Sequence, residues 1–503
     1  MESLTFSGAP GIIVLCAYAA VMLGIGFWAG RRRTDKKHTL KSYYLAGGNL
    51  GVLVLFFTLY ATQYSGNTVI GYAPQAYREG FPWWQSVTFF MVITAGYMLF
   101  APRLYVLAKK RSFVTPTDWI RHRFGSPAVT LLATLLMLWA LANYLLEQLV
   151  AMGHAIAGLT GGTVPYQVAV ALFVCVMLLY SWTGGMRAVA LTDVMQGIAL
   201  LVGVALLLAG AFYLTGESPA GTTRYLIEND PEAVSSPPLE VSVNWISMIV
   251  MVGLSICLYP HAIQRIYAAQ SERALKRSLR FLVWMPLVTA GAVFCVGMVG
   301  IRLFPGLSDG DSEQLVGMIA NEVGAINTAF YVAMILLFGG VVAAIVSTAD
   351  SAFLSLSSII SKDVYGRYVN PRADEHRQVR LGKTVGIGVV FVLLLLAWNP
   401  PTTLVNIFVL KMELLVQLAP AFILGMYWRR LTGTAVFWGM AVGVVIAGGM
   451  TWLQIEDVYG VHGGIVGLLV NVAVCVAGSL SARPRALRQD RSEPEHPRQL
   501  HEE

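Results

Sequence analysis

An all-α integral membrane fold of about thirteen spanning helices is what this sequence predicts, and three observations predict it. Of the 503 residues 56% are hydrophobic and only 13% charged, with a mean hydropathy of +0.64. Soluble domains carry roughly 25% charged residues. Several apolar runs are free of charge for a whole bilayer crossing, among them 124–146, 194–216, 241–264, 431–455 and 458–482. A crossing needs about 20 such residues. The third observation is the distribution of Lys and Arg, which falls almost entirely on one side of these runs. Together they exclude intrinsic disorder, a disulfide-stapled secreted domain and an ordinary cytosolic enzyme.

Taken in order, the predicted spans are 11–30, 48–76, 83–102, 127–157, 165–182, 190–214, 244–263, 281–304, 327–361, 381–398, 403–427, 433–453 and 463–482. With the N-terminus outside and the C-terminus cytoplasmic, 31 of the 35 Lys and Arg residues fall in inner connections or the tail. Arg265–Arg280 is counted among those inner connections. The two longest outer loops are acidic, one with Glu217, Glu228, Asp230, Glu232 and Glu240, the other with Asp309, Asp311, Glu313 and Glu322. That asymmetry fixes orientation by the positive-inside rule and accounts for the net charge of +7 without nucleic acid. A multi-pass protein of the cell (inner) membrane is expected.

The stretch 11–30 is too long for a signal core and ends in Arg31-Arg32-Arg33, so it reads as a span and not a cleavable leader. Cys16, Cys175, Cys257, Cys295 and Cys475 are scattered in apolar segments and read as small packing residues. Residues 1–482 are expected to form the transmembrane domain. Residues 483–503, polar and with three prolines, form a disordered tail. Gly382-Lys383-Thr384 is not a phosphate loop, because Arg377 stands where its first glycine belongs. ATP-driven pumping has no motor here.

Two spans look breakable. Tyr60-Ala61-Thr62-Gln63-Tyr64-Ser65-Gly66-Asn67-Thr68 puts polar side chains and a glycine in mid-span, and Gly253-Leu254-Ser255-Ile256-Cys257-Leu258-Tyr259-Pro260-His261 holds a glycine and a proline. Pro260 supplies no backbone donor to the preceding turn. Helices break within a membrane only where protein or a wet cavity satisfies the freed groups. Breaks five spans apart are the pattern of an inverted five-plus-five repeat with its site at the break, here over about 48–214 and 244–427. The competing reading is a pair of structural kinks.

Tyr180-Ser181-Trp182-Thr183-Gly184-Gly185-Met186-Arg187-Ala188-Val189-Ala190-Leu191-Thr192-Asp193-Val194-Met195-Gln196 resembles the signature of the sodium:solute symporter family. Tyr44-Leu45-Ala46-Gly47-Gly48 before the first break, Pro260-His261 with Gln264-Arg265 after the second, and Ser347-Thr348-Ala349-Asp350-Ser351 running on to Ser361-Lys362-Asp363-Val364-Tyr365 match in order. The resemblance implies a LeuT-like fold with one leading helix, the five-plus-five core and two trailing helices. It implies Na⁺ as coupling ion, bound by the carbonyls of Ala61, Tyr64 and Ala344 and the hydroxyls of Ser347 and Thr348. The chemistry is compatible, since an unwound helix offers carbonyls to a hard cation. Back-bonding of Ser347 and Thr348 to the preceding turn is the bland alternative. The resemblance also implies a possible second sodium locus at Asp193, Asp350 and Ser351 with Ser347. Asp350 stands where some members have serine. A proton could occupy this locus instead of sodium; against both, Asp193 and Thr192 could cap their helix, or the locus could be a structural ion pair with an inner-loop Arg.

Charges inside spans default to functional candidates, and Glu147, Lys411 and Glu413 remain. Alignment to the family places Glu147 and Tyr144 near the substrate, facing Gln63, Ser65, Asn67 and Thr68 of the first break, with Ile256 and Tyr259 from the second. Amides and hydroxyls around one carboxylate favour a solute with an amino or quaternary ammonium group. Glu147 could instead pair with Lys411 as scaffold. Trp139, Phe56, Phe57, Phe89 and Phe90 read as packing or lipid contacts. Gln63 stands where proline carriers of the family have aspartate, which disfavours proline. A pantothenate or other carboxylate symporter and a non-transporting solute sensor are the rival readings. The expected partners are a small-molecule substrate and the lipid bilayer, with a single chain sufficing.

Overall fold

The computed structural model describes residues 39–482 except 65, 161–162, 400–403 and 456, together with positions 12–13, 16–17, 20–21 and 24. Most of the predicted first span and the whole of the tail 483–503 therefore lie outside the described residues. Ten helices among the described residues are long and apolar enough to cross a membrane. They coincide with ten of the predicted spans, and the shorter apolar helices Val52–Gln63 and Tyr166–Leu179 match two more.

Helix starts follow local chemistry. Asn327 caps Thr328–Ile359 by accepting from the Phe330 amide at 3.0 Å. Asp374 does the same for Glu375–Trp398, accepting from Arg377 at 2.7 Å. Each satisfies one of the orphan amides of a first turn. The predicted spans 165–182 and 190–214 join through Gly185, whose φ of 59° no side chain favours. Boundaries move where amphipathic ends extend a span. The helix predicted over 83–102 runs to Arg111, carrying Lys109, Lys110 and Arg111 as its final turn. Cationic side chains there complement the helix dipole. The connections between spans hold short elements that the predicted spans do not include: the helices Pro219–Asn229 and Leu315–Ile326 and the hairpin of Asp457–Val458 with Val461–His462.

Both predicted breaks are present. The first helix runs Val52–Gln63, Tyr64 turns to extended backbone, and helix resumes at Gly66–Ile70. The second runs Leu239–Ile256 and resumes at Pro260–Ala268, with Tyr259 at φ −52° and ψ 132° between them. Thr328–Ile359 passes beside the first break and packs along Pro127–Leu159 and Tyr166–Thr215. Every residue from Gly340 to Ile359 is buried, so its hydroxyls and carboxylate face protein on all sides.

Gly66 is where the first broken helix meets that central helix. A Cβ there would lie 2.3 Å from Ile345 Cγ1 and 2.9 Å from the Val341 carbonyl. In the connection after Arg111, Asp118 closes a capping box with Thr115 and accepts from Lys362 at 2.5 Å. Burial alone would raise its carboxyl pKa, but the Lys362 ammonium and the amides of Val114 and Thr115 outweigh burial and hold it below the ordinary 3.8.

Two outcomes are expected. Gly66→Ala should destabilise the protein by roughly 1–3 kcal/mol through overpacking, read as a lower melting temperature. The Asp118 pKa is depressed in the folded state, so its contribution is complete above pH about 4 and is lost as pH falls below it. A melting-temperature series into acid should show that limb, and Asp118→Asn should flatten it.

Candidate ion and substrate site

The first break leaves its last carbonyls to side chains from other helices. The Ala61 carbonyl accepts from Thr348 Oγ1 at 3.3 Å, and the Thr62 carbonyl accepts from Tyr144 Oη at 3.2 Å. The central helix thus meets the break at Thr348, while the neighbouring Ser347 hydroxyl is given to Asp193. Ser347, Thr348 and Ala344 are all buried beside it, as are Ala61 and Tyr64. Uncharged oxygens from a broken helix and from two adjacent hydroxyls are a donor set suited to a monovalent cation.

One turn earlier in the first broken helix, at Thr58, lies a buried charge cluster. Asp193 accepts hydrogen bonds from Thr58 Oγ1 on one carboxylate oxygen and from Ser347 Oγ on the other. The Arg265 guanidinium lies 3.3 Å from the Asp193 carboxylate. Arg265 also donates to Thr58 Oγ1 at 2.8 Å, to the Thr58 carbonyl at 3.0 Å, to the His261 carbonyl at 3.1 Å and to Ser351 Oγ. Asp193, Asp350, Ser351 and Arg265 are all fully buried. Arg265, expected in an inner loop, is instead buried within the fold. It sits on Pro260–Ala268, directly after the second break, which turns it inward to Asp193. At Asp193, Ser347 and Ser351 the structure thus places a guanidinium, the ion-pair alternative weighed above.

Between the two breaks is a cavity of about 20 Å³ lined by Thr62, Gln63, Thr68, Tyr72, Phe90, Tyr144, Glu147, Ile256, Tyr259 and Phe408. Six of the eight residues proposed for the substrate line it: Gln63, Thr68, Tyr144, Glu147, Ile256 and Tyr259. Ser65 and the Asn67 side chain lie outside the described residues. Lys411 donates to Glu147 Oε2, so the pairing considered for these two is formed. Glu413 points elsewhere and accepts from Thr451 Oγ1 at 2.6 Å. Tyr144 and Tyr259 stack with ring centroids 4.8 Å apart, and His261 stacks on both.

Phe90 was assigned to packing and instead forms cavity wall, stacked 4.7 Å from Tyr64. Tyr72 and Phe408 were not anticipated. Nothing in hydropathy separates an aromatic that faces a cavity from one that faces lipid. Trp139, 43% exposed, is on the outer surface as expected.

The model of the sodium:solute symporter family matches residues 43–443. The chain belongs to that family. It is 27% identical over 481 residues to the sodium/pantothenate symporter of Escherichia coli (strain K12), covering 93% of this chain and 96% of that protein. It is 26% identical over 480 residues to the sodium/glucose cotransporter of Vibrio parahaemolyticus, with 87% and 84% covered. Among solved structures, a Na⁺-coupled sialic acid symporter in a substrate-bound outward-open state superposes with a TM-score of 0.78 at 17% identity, over 95% of this chain and 99% of that one. The fold is therefore the LeuT-like five-plus-five arrangement. This multi-pass membrane protein is a sodium-coupled solute symporter and not an enzyme, and Na⁺ is its coupling ion.

The buried ion pair carries a stability expectation. Asp193→Ala leaves the Arg265 charge without its carboxylate and should cost about 3–5 kcal/mol. It should show as loss of folded protein on gel filtration, with Asp193→Asn less severe because it still accepts hydrogen bonds.

Proposed function

We propose that this chain imports a small organic solute bearing an amino or quaternary ammonium group, driven by sodium bound where the first break meets the central helix. The single observation that carries the reading is the contact between Thr348 and the Ala61 carbonyl at 3.3 Å, directly beside the cavity that holds Glu147. The cation takes the carbonyls of Ala61, Tyr64 and Ala344 and the hydroxyls of Ser347 and Thr348. Binding there ties the broken helix to the central helix and completes the solute site. The effect is differential stabilisation of one conformation. The solute is held by Gln63, Ser65, Asn67, Thr68, Tyr144, Glu147, Ile256 and Tyr259. With the N-terminus outside and the protein in the inner membrane, as the Lys and Arg asymmetry supports, sodium enters a negative interior. Each charge is worth about 2.3 kcal/mol per 100 mV, so one sodium per neutral solute supports tens-fold accumulation. We place the whole transport cycle within a single chain.

Arg265 already supplies positive charge to Asp193 and reaches Ser351, which favours one coupling sodium over two. A carboxylate solute is the second reading, favoured by the Lys411 ammonium beside the cavity and by the pantothenate symporter among the relatives.

Reconstituted vesicles test the proposal. Uptake should require an inward sodium gradient and vanish when choline replaces Na⁺. Thr348→Ala removes one oxygen from a charged ligand, a loss of about 1.5–3 kcal/mol, and should raise the sodium concentration for half-maximal uptake by about tenfold or more. A sodium Hill coefficient near one is expected. A value near two that Asp350→Ala brings down to one would place a second cation at Asp193, Ser347, Asp350 and Ser351.

A further inference from the structure

Glu147 lines the solute cavity and is paired to Lys411, whose ammonium lies against three of the rings that form its wall. Glu147 lies on Pro127–Leu159 and Lys411 on Leu404–Leu415, and the Lys411 ammonium donates to the Glu147 carboxylate with both side chains buried. The ammonium also lies 4.2 Å from the centre of the Tyr144 ring, 5.0 Å from Phe408 and 5.6 Å from Tyr259. Those three rings are cavity wall. Aromatic faces attract a cation, so Lys411 keeps its place at the wall whether or not Glu147 holds it.

We propose that the solute is a zwitterion whose cationic end takes Glu147 and whose carboxylate takes Lys411, the two side chains holding each other when no solute is bound. The inference deepens the symport reading above and rests on it. Its ground is the cost of separating buried charges. A cavity of about 20 Å³ has room for about one water, so no organic solute enters until the walls part. Parting the two helices pulls Glu147 from Lys411, and a buried charge deprived of its partner is strongly destabilising. An amine restores only Glu147. A monocarboxylate restores only Lys411, and a sugar restores neither. A solute carrying both charges compensates both residues in one step. Thr62, Thr68 and the buried Gln63 amide are left to read the uncharged part.

Thermal unfolding of the purified full chain tests this with defined probes, in sodium chloride and in choline chloride. L-Alanine, L-proline, L-glutamine and glycine betaine are the zwitterions. L-Alaninamide and L-lactate remove one charge each, and pantothenate and D-glucose represent the other solute classes. At least one zwitterion should raise the melting temperature in sodium, and its single-charge analogues should not. Glu147→Gln and Lys411→Met should each weaken that response by about tenfold or more, equivalent to 1.4 kcal/mol. The double variant Glu147→Gln/Lys411→Met leaves no bare charge to unfold the protein. It should keep the shift produced by sodium alone and lose the zwitterion response. Stabilisation by lactate, pantothenate or glucose with none by any zwitterion overturns the inference and leaves sodium symport standing, as does a double variant with an unchanged zwitterion response. No response to any of the four zwitterions overturns it too. A zwitterion response equal in sodium and choline removes sodium coupling instead, with the charge-pair site intact.

Discussion

A helix that stops inside protein leaves carbonyls that water cannot reach, and the transport site is organised by how those carbonyls are met. Tyr64 departs from helical geometry in the middle of a membrane-embedded bundle. The Ala61 and Thr62 carbonyls then take hydrogen bonds from two different helices, through Thr348 and Tyr144. The first of these helices carries the hydroxyls suited to a cation, and the second carries Glu147 one turn further on. The proposed ion and solute sites are neighbours because one backbone interruption is satisfied from two directions.

The surrounding bundle keeps that interruption in place. The central helix is buried without a gap from Gly340 to Ile359, which is why it can hold serines and an aspartate that no lipid-facing helix could tolerate. Gly66 brings the resumed helix against Ile345 and the Val341 carbonyl with no room for a side chain. Below it, Arg265 joins Thr58 of the first broken helix, Asp193 and Ser351 in one network. The second break therefore reaches the first through a guanidinium, and a shift of either is felt by the other.

Much of this was legible in the order of residues. Uninterrupted apolar runs located the spans, because a bilayer tolerates few alternatives to a long helix. Polar residues around Gly66 and the Pro260 position marked the breaks for the same reason. What escaped was tertiary. Arg265 looks like a loop cation when charges are counted along the chain, since its partner Asp193 is 72 residues away. Phe90, Tyr72 and Phe408 are apolar at helical positions like dozens of others, and only the approach of two broken helices decides which aromatics border a cavity. The short helix Pro219–Asn229 has little hydropathy to announce it.

If sodium binds where we propose, the hydrogen bond from Thr348 to the Ala61 carbonyl also bears on how tightly it is gripped. A cation coordinated by both oxygens needs a lone pair from each, so the hydroxyl must turn its proton away before the metal can settle. Each binding event thus begins by giving up an existing attraction, and each departure restores it. Affinity is trimmed by that exchange, and the protein recovers a contact of its own as the ion leaves. For a carrier that must let go of its cargo on every cycle, this self-closing contact favours release over retention.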